Sequence, residues 1–236
     1  MNENKKPLGA RLGEGFFCIF YLIFVFTAVF VFRSKGINAS SDTDKYRYVQ
    51  GMMMAIILGC GDAFHLIPRI IVNFKGKLKH QEIFLGTGNL ISSISMTIYY
   101  IFMMVMCDTI VTGNSGYEIN YIIEKAIIIL ALIRILLCFF PQNKWFNKEG
   151  NKKWAIIRNV PFSIIGILMI ALLIRASQIT TIYLSVFYIQ LAISVLFSFL
   201  FYLPVAIWGR EKPKLGMLMI PKTLCYIWML LVILLA

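Results

Sequence analysis

Long apolar runs alternate with short polar pieces along the whole chain. The first, "FFCIFYLIFVFTAVFVF", is typical, and runs near the roughly 20 residues that cross a bilayer recur to the end. The pattern predicts helices at about 16–32, 48–72, 84–107, 119–140, 154–174, 179–208 and 215–235. Between them, "SKGINASSDTDKYRY" reads as the most polar and turn-rich connection, while "TGNSGYE" and "RASQITT" are short. The N-terminal "MNENKKPLGARLGEG" reads as the lead-in to a retained first helix. Little is left for a water-soluble domain. The expected fold is all-α, a polytopic membrane bundle of about seven transmembrane helices in one domain spanning 1–236.

Composition agrees: the 236 residues are 59% hydrophobic, with a mean hydropathy of +0.78. The net charge of +12 lies between the runs, not in a basic stripe with interleaved aromatics, so no nucleic-acid partner is expected. Lys5, Lys6 and Arg11 precede the first run, and Lys75, Lys77 and Lys79 follow the second. Lys144, Lys148, Lys152 and Lys153, then Arg210, Lys212 and Lys214, fall on the same face. The opposite face holds Arg33, Lys35, Lys45, Arg47 and Arg175. The positive-inside rule then puts the N-terminus in the cytoplasm and the C-terminus outside a cell membrane crossed several times.

Metal chemistry is not expected, because His65 and His80 are separated by a loop and no carboxylate pair stands at ligand spacing. The five cysteines, Cys18, Cys60, Cys107, Cys138 and Cys225, are scattered singly and read as packing residues. No nucleotide-binding loop is present, and no cofactor is expected.

The informative departure from greasiness is "GCGDAFHLIPRI", residues 59–70. Charge inside a hydrocarbon span is costly and usually faces a cavity or a partner. Asp62, His65 and Arg69 stand three and four residues apart, which stacks them on one side of the second helix. Arg134 in "ALIRILL" and Lys222 in the last run come to comparable depth from other helices, and Arg158 and Asn159 begin the fifth at the same face. Asn89, Ser92, Ser93, Ser95 and Thr97 either line the same space or glue helices together. Arg69, Arg158 and Lys222 also fit a role as interfacial anchors, Arg134 an ion pair with Asp62, and His65 a satisfied core ring. Gly59 and Gly61 permit close helix approach, and Pro68 frees one backbone carbonyl near the helix end. Together these residues predict a cytoplasm-facing pocket with several cations and one buried carboxylate. Such a pocket suits a phosphate headgroup whose tail lies among the helices.

"GDAFHLIPR", Gly61 to Arg69, resembles the G-D-x-x-L-x-P-R stretch of the lysoplasmalogenase-like YhhN family, here with three residues between aspartate and leucine. The next helix, "LGTGNLISSISMTIYYIF", and the order "SVLFSFLFYL", "GREKPK", final span are similar too. Where relatives carry a histidine after the motif this chain has Ile94 or Ser95, and "LFSFLFYL" lacks their late acid. The resemblance implies hydrolysis of the vinyl ether of a lysophospholipid. A proton delivered to carbon produces an oxocarbenium ion that water captures, so the acid must keep its proton near neutral pH. Asp62 would be that acid and His65 would position water or return the proton. Arg69, Arg134 and Lys222 would hold the phosphate, with Asn89 and Ser93 lining the site. The alternative is a transporter, receptor or lipid-binding protein that uses the same pocket without chemistry.

Overall fold

A computed structural model describes residues 8–75, 80–116, 119–147, 150–209 and 211–236. Lys5, Lys6, Lys77, Lys79, Lys148 and Arg210 lie outside the described residues. Among those described there is no strand, and seven α-helices follow one another: α1 Leu8–Asn38, α2 Asp42–Lys75, α3 Gln81–Ser115, α4 Tyr121–Phe139, α5 Lys152–Ile179, α6 Ile182–Trp208 and α7 Met219–Leu235. Short 3-10 turns at Pro141–Asn143 and Pro213–Leu218 precede α5 and α7. Six of the seven helices, all but α4, are long and apolar enough to cross a membrane, so the chain is a multi-pass helical membrane protein. The exception, α4, carries Glu124, Lys125 and Arg134 within its 19 residues.

Four helices, α1, α2, α3 and α5, outrun the apolar runs that announce them, while α4, α6 and α7 begin later than expected, at Tyr121, Ile182 and Met219. The expected long first loop shrinks to residues 39–41, because the polar residues around it are themselves helical. Asp42 pairs with Lys45 at 3.2 Å and Asp44 with Arg47 at 3.1 Å, both one turn apart, so α2 extends beyond its apolar stretch on side-chain pairs. Asn120 caps α4 by accepting from the amides of Ile122 and Ile123, and Asn151 caps α5 through Trp154. Gly116, at φ 73°, ends α3 in the left-handed conformation that glycine tolerates best, donating its amide to Thr112.

Consecutive helices pack against each other, and α1 meets α7, which closes the ring; α3 also touches α5 across the middle. Buried Tyr21, Val25, Ala28 and Phe32 form one stripe along α1, at the three- and four-residue steps of a helix face. At one end the starts of α1, α3, α5 and α7 gather with the finishes of α2, α4 and α6. Arg11 of α1 there donates to the carbonyls of Val72 at 3.1 Å and Asn73 at 3.0 Å, capping orphan acceptors at the finish of α2. The α4–α5 connection is pinned in the same way. Asn143 donates to Leu137 at 2.7 Å and Phe140 at 2.9 Å, and the Trp145 indole donates to Cys138 at 2.9 Å.

The middle of the bundle is an aromatic layer. Tyr99 meets Tyr100 and Tyr226 edge-on at 5.7 and 5.5 Å, and Phe162 meets Tyr100 at 5.6 Å and Phe199 at 4.8 Å. All five rings are buried. Beyond this layer, Met103, Met106, Ile110, Met169 and Met229 fill the other half with apolar packing.

Candidate functional site

On the near side of that layer lies a cavity of about 990 Å³, at the end where α1, α3, α5 and α7 begin. The site residues expected from the sequence, Asp62, His65, Arg69, Asn89, Ser93, Arg134 and Lys222, all line it. Two glycines of the α2–α3 contact make this geometry possible. A Cβ on Gly88 would sit 2.5 Å from the Phe64 carbonyl oxygen and 2.7 Å from the His65 Cα, both backbone atoms of α2. A Cβ on Gly61 would collide with the Ser95 hydroxyl and Cβ. The two helices therefore meet almost backbone to backbone. The other glycine of the motif, Gly59, serves a different contact, facing Val25 and Phe26 of α1.

Pro68 shapes the same contact. It has no N–H to give the carbonyl four residues earlier, that of Phe64, and this oxygen is the one against Gly88. Nevertheless α2 continues past the proline to Lys75. The glycine directs a C–H toward the freed oxygen, a weak substitute for the missing bond.

That close approach puts one hydroxyl of α3 on Asp62. Ser92 donates to Oδ1 of Asp62 at 3.0 Å, and from α1 the Tyr21 hydroxyl donates to Oδ2 at 2.7 Å. The carboxyl is 9% exposed. Among the described residues no cation, Arg134 included, lies within 4.0 Å of it, so the ion pair left open by the sequence is not formed. His65, one turn on and 9% exposed, has neither ring nitrogen hydrogen-bonded to a described residue.

Three of the cations adopt a different arrangement, laid on aromatic faces. The Arg134 guanidinium carbon stands 3.2 Å from the Phe162 ring centroid, and the residue is 1% exposed. Its Nε and Nη1 find no hydrogen-bond acceptor among the described residues. Lys222 Nζ is 4.9 Å from the Tyr202 centroid and 5.3 Å from that of Tyr226. Arg158 lies 4.1 Å over Trp145 and donates to Asn143 Oδ1 at 2.9 Å. Arg69 lines the cavity half-buried.

The serines divide their work. Ser93 lines the cavity but donates its hydroxyl to the Asn89 carbonyl at 2.7 Å, and Thr97 bonds back to Ser93 at 2.9 Å. Ser95 faces Gly61 and donates to Ser92 at 3.1 Å. The residue that touches Asp62 is Ser92.

Sequence reasoning missed Tyr21, Tyr202, Tyr226 and Glu14 as parts of this wall. Tyr21 carried a signal, since a single tyrosine in an otherwise apolar span needs a partner for its hydroxyl. Tyr202 shows the same need, donating to Asn159 at 2.9 Å. Among the described residues no three His, Cys, Asp or Glu side chains gather at metal-binding distance. No family model matches the chain, and no curated protein or solved structure matches it either.

Proposed function

We propose that the protein is a membrane-embedded hydrolase, resembling lysoplasmalogenase, that cleaves the vinyl ether of a lysophospholipid by general-acid catalysis. The observation that carries this reading is the separation of charge within one cavity. Among the described residues Asp62 is held by the hydroxyls of Tyr21 and Ser92, while Arg134 and Lys222 rest on rings instead of on the carboxylate. An acid for this chemistry must deliver a proton; a paired guanidinium would favour its anion, whereas either hydroxyl can rotate to accept the proton of the neutral carboxyl.

The steps balance as follows. The Asp62 carboxyl gives its proton to the β-carbon of the enol ether, leaving an oxocarbenium ion beside the new carboxylate. Water adds to the cationic carbon and loses a proton to His65 or Asp62. The hemiacetal then collapses to an aldehyde and the glycerophospho-alcohol. His65 lines the cavity and neither ring nitrogen is bonded to a described residue, which leaves one of them to hold that water.

In the same reading all seven helices cross a cell membrane. The 19 residues of α4 extend about 28 Å at about 1.5 Å per residue, close to the roughly 30 Å hydrocarbon core. The N-terminus is then cytoplasmic, the C-terminus outside, and the cavity opens toward the face bearing exposed Lys75, Lys144, Lys152, Lys153, Lys212 and Lys214.

The test is incubation of purified protein with a lysoplasmalogen and with its saturated ether analogue. Aldehyde is expected from the vinyl ether alone, and none from Asp62→Asn. Binding of both lipids without aldehyde would leave a lipid-binding or transport protein as the reading.

A further inference from the structure

The cavity wall has a bias that bears on which headgroup it takes. Five basic side chains, Arg11, Arg69, Arg134, Arg158 and Lys222, line it against two carboxylates, Glu14 and Asp62. Arg11 is committed to the finish of α2 and Arg158 to Asn143 and Trp145. Arg134 and Lys222 are both more than nine-tenths buried, and no described carboxylate lies within 4.0 Å of either. Two guanidinium nitrogens of Arg134 have no acceptor among the described residues. Buried charge without a counter-ion is expensive, and an anion entering the cavity removes that cost.

A choline or ethanolamine headgroup would bring its own cation, which needs an aromatic face or a free carboxylate. Three of the five rings that line the cavity are already taken, while Phe17 and Tyr21 carry no described cation. Lys222 covers Tyr202 and Tyr226, Arg158 covers Trp145, and Arg134 covers Phe162 behind the wall. Both Asp62 oxygens accept hydroxyls, and Glu14 has a partner of its own. An ammonium would therefore meet a cation at three of these rings, and at Phe17 or Tyr21 it would still share the cavity with five basic side chains.

We infer that Arg134 and Lys222 form the seat of a phosphomonoester, so that the favoured ligand carries a terminal phosphate in place of a zwitterionic headgroup. This rests on reading the cavity as a lipid site and is independent of whether the ether is cleaved. Arg134 offers a planar fork and Lys222 a point charge, a pairing suited to two oxygens of one phosphate.

The experiment measures binding of saturated 1-alkyl-glycerol-3-phosphate to the purified full chain in nanodiscs. Its comparators are the phosphocholine and phosphoethanolamine lipids of the same alkyl chain, and inorganic phosphate. None contains a vinyl ether, so turnover cannot intrude. The phosphomonoester lipid is expected to bind about tenfold or more tightly than either zwitterion. Lys222→Met should erase that preference and Lys222→Arg retain it. Inorganic phosphate binding as tightly as the lipid would support the seat and identify a soluble phosphate ester as its occupant. Equal or tighter binding of a zwitterionic lipid by the unmodified chain overturns the inference, whatever the variants do. Aldehyde release from a choline vinyl ether alongside that result would sink the phosphate seat while leaving the hydrolase standing.

Discussion

Asp62 and Arg134 are both buried, yet the cavity treats them oppositely, one with two hydrogen bonds and the other with two vacant donors. Their substitutions should therefore differ in kind. Tyr21→Phe removes a donor from a buried carboxyl, and thermal unfolding is expected to register a loss of about 1–3 kcal/mol. Replacing a buried, unpaired cation with an apolar side chain of similar length is commonly neutral or stabilising. Arg134→Met is thus expected to keep or raise the Tm of the ligand-free protein while abolishing the rise in Tm caused by a phosphate-bearing lipid. A drop in Tm without ligand would mean that Arg134 has a structural partner. Asp62, His65 and Arg69 were legible because the three-and-four spacing of a helix puts them together in the sequence itself. Ser92 was harder to single out, since among neighbouring serines only the rotation of α3 against α2 decides which hydroxyl reaches the carboxyl.

At the scale of elements, the α2–α3 contact is the part of the fold most sensitive to one methyl group. At Gly88 the obstacle is α2 backbone, which cannot rotate aside, so Gly88→Ala should cost about 1–3 kcal/mol in unfolding measurements. At Gly61 the obstacle is the Ser95 side chain, which a second substitution can remove. Gly61→Ala is expected to be destabilising alone and largely rescued by Ser95→Gly, and additive losses in the double variant would refute this contact. The elements themselves were plain in the apolar runs, and their ends were not. Hydropathy reports where water stops, while a helix stops where its backbone runs out of partners, and Asp42–Lys45 and Asp44–Arg47 carry α2 beyond the apolar run. The cation–ring pairs had no local signal, because Arg134 and Phe162, or Lys222 and Tyr202, meet only when remote helices pack.

For the molecule as a whole, sidedness is the point on which α4 decides. If α4 crosses with the other six, reporters fused to the two ends must lie on opposite faces, and C-terminal fusions should respond only to probes outside the cell. Both reporters on one face would take α4 out of the count and with it the proposed orientation. The layer of Tyr99, Tyr100, Phe162, Phe199 and Tyr226 has a further consequence, since it gives the chamber a packed floor that Tyr226 lines. A headgroup seated on that floor cannot leave through the far half of the bundle. Cleavage leaves the phosphate on the departing alcohol, so that fragment keeps its grip on Arg134 and Lys222 after the reaction is over. Its departure would then govern turnover, and the released alcohol added to the assay should compete with fresh lipid for the doorway.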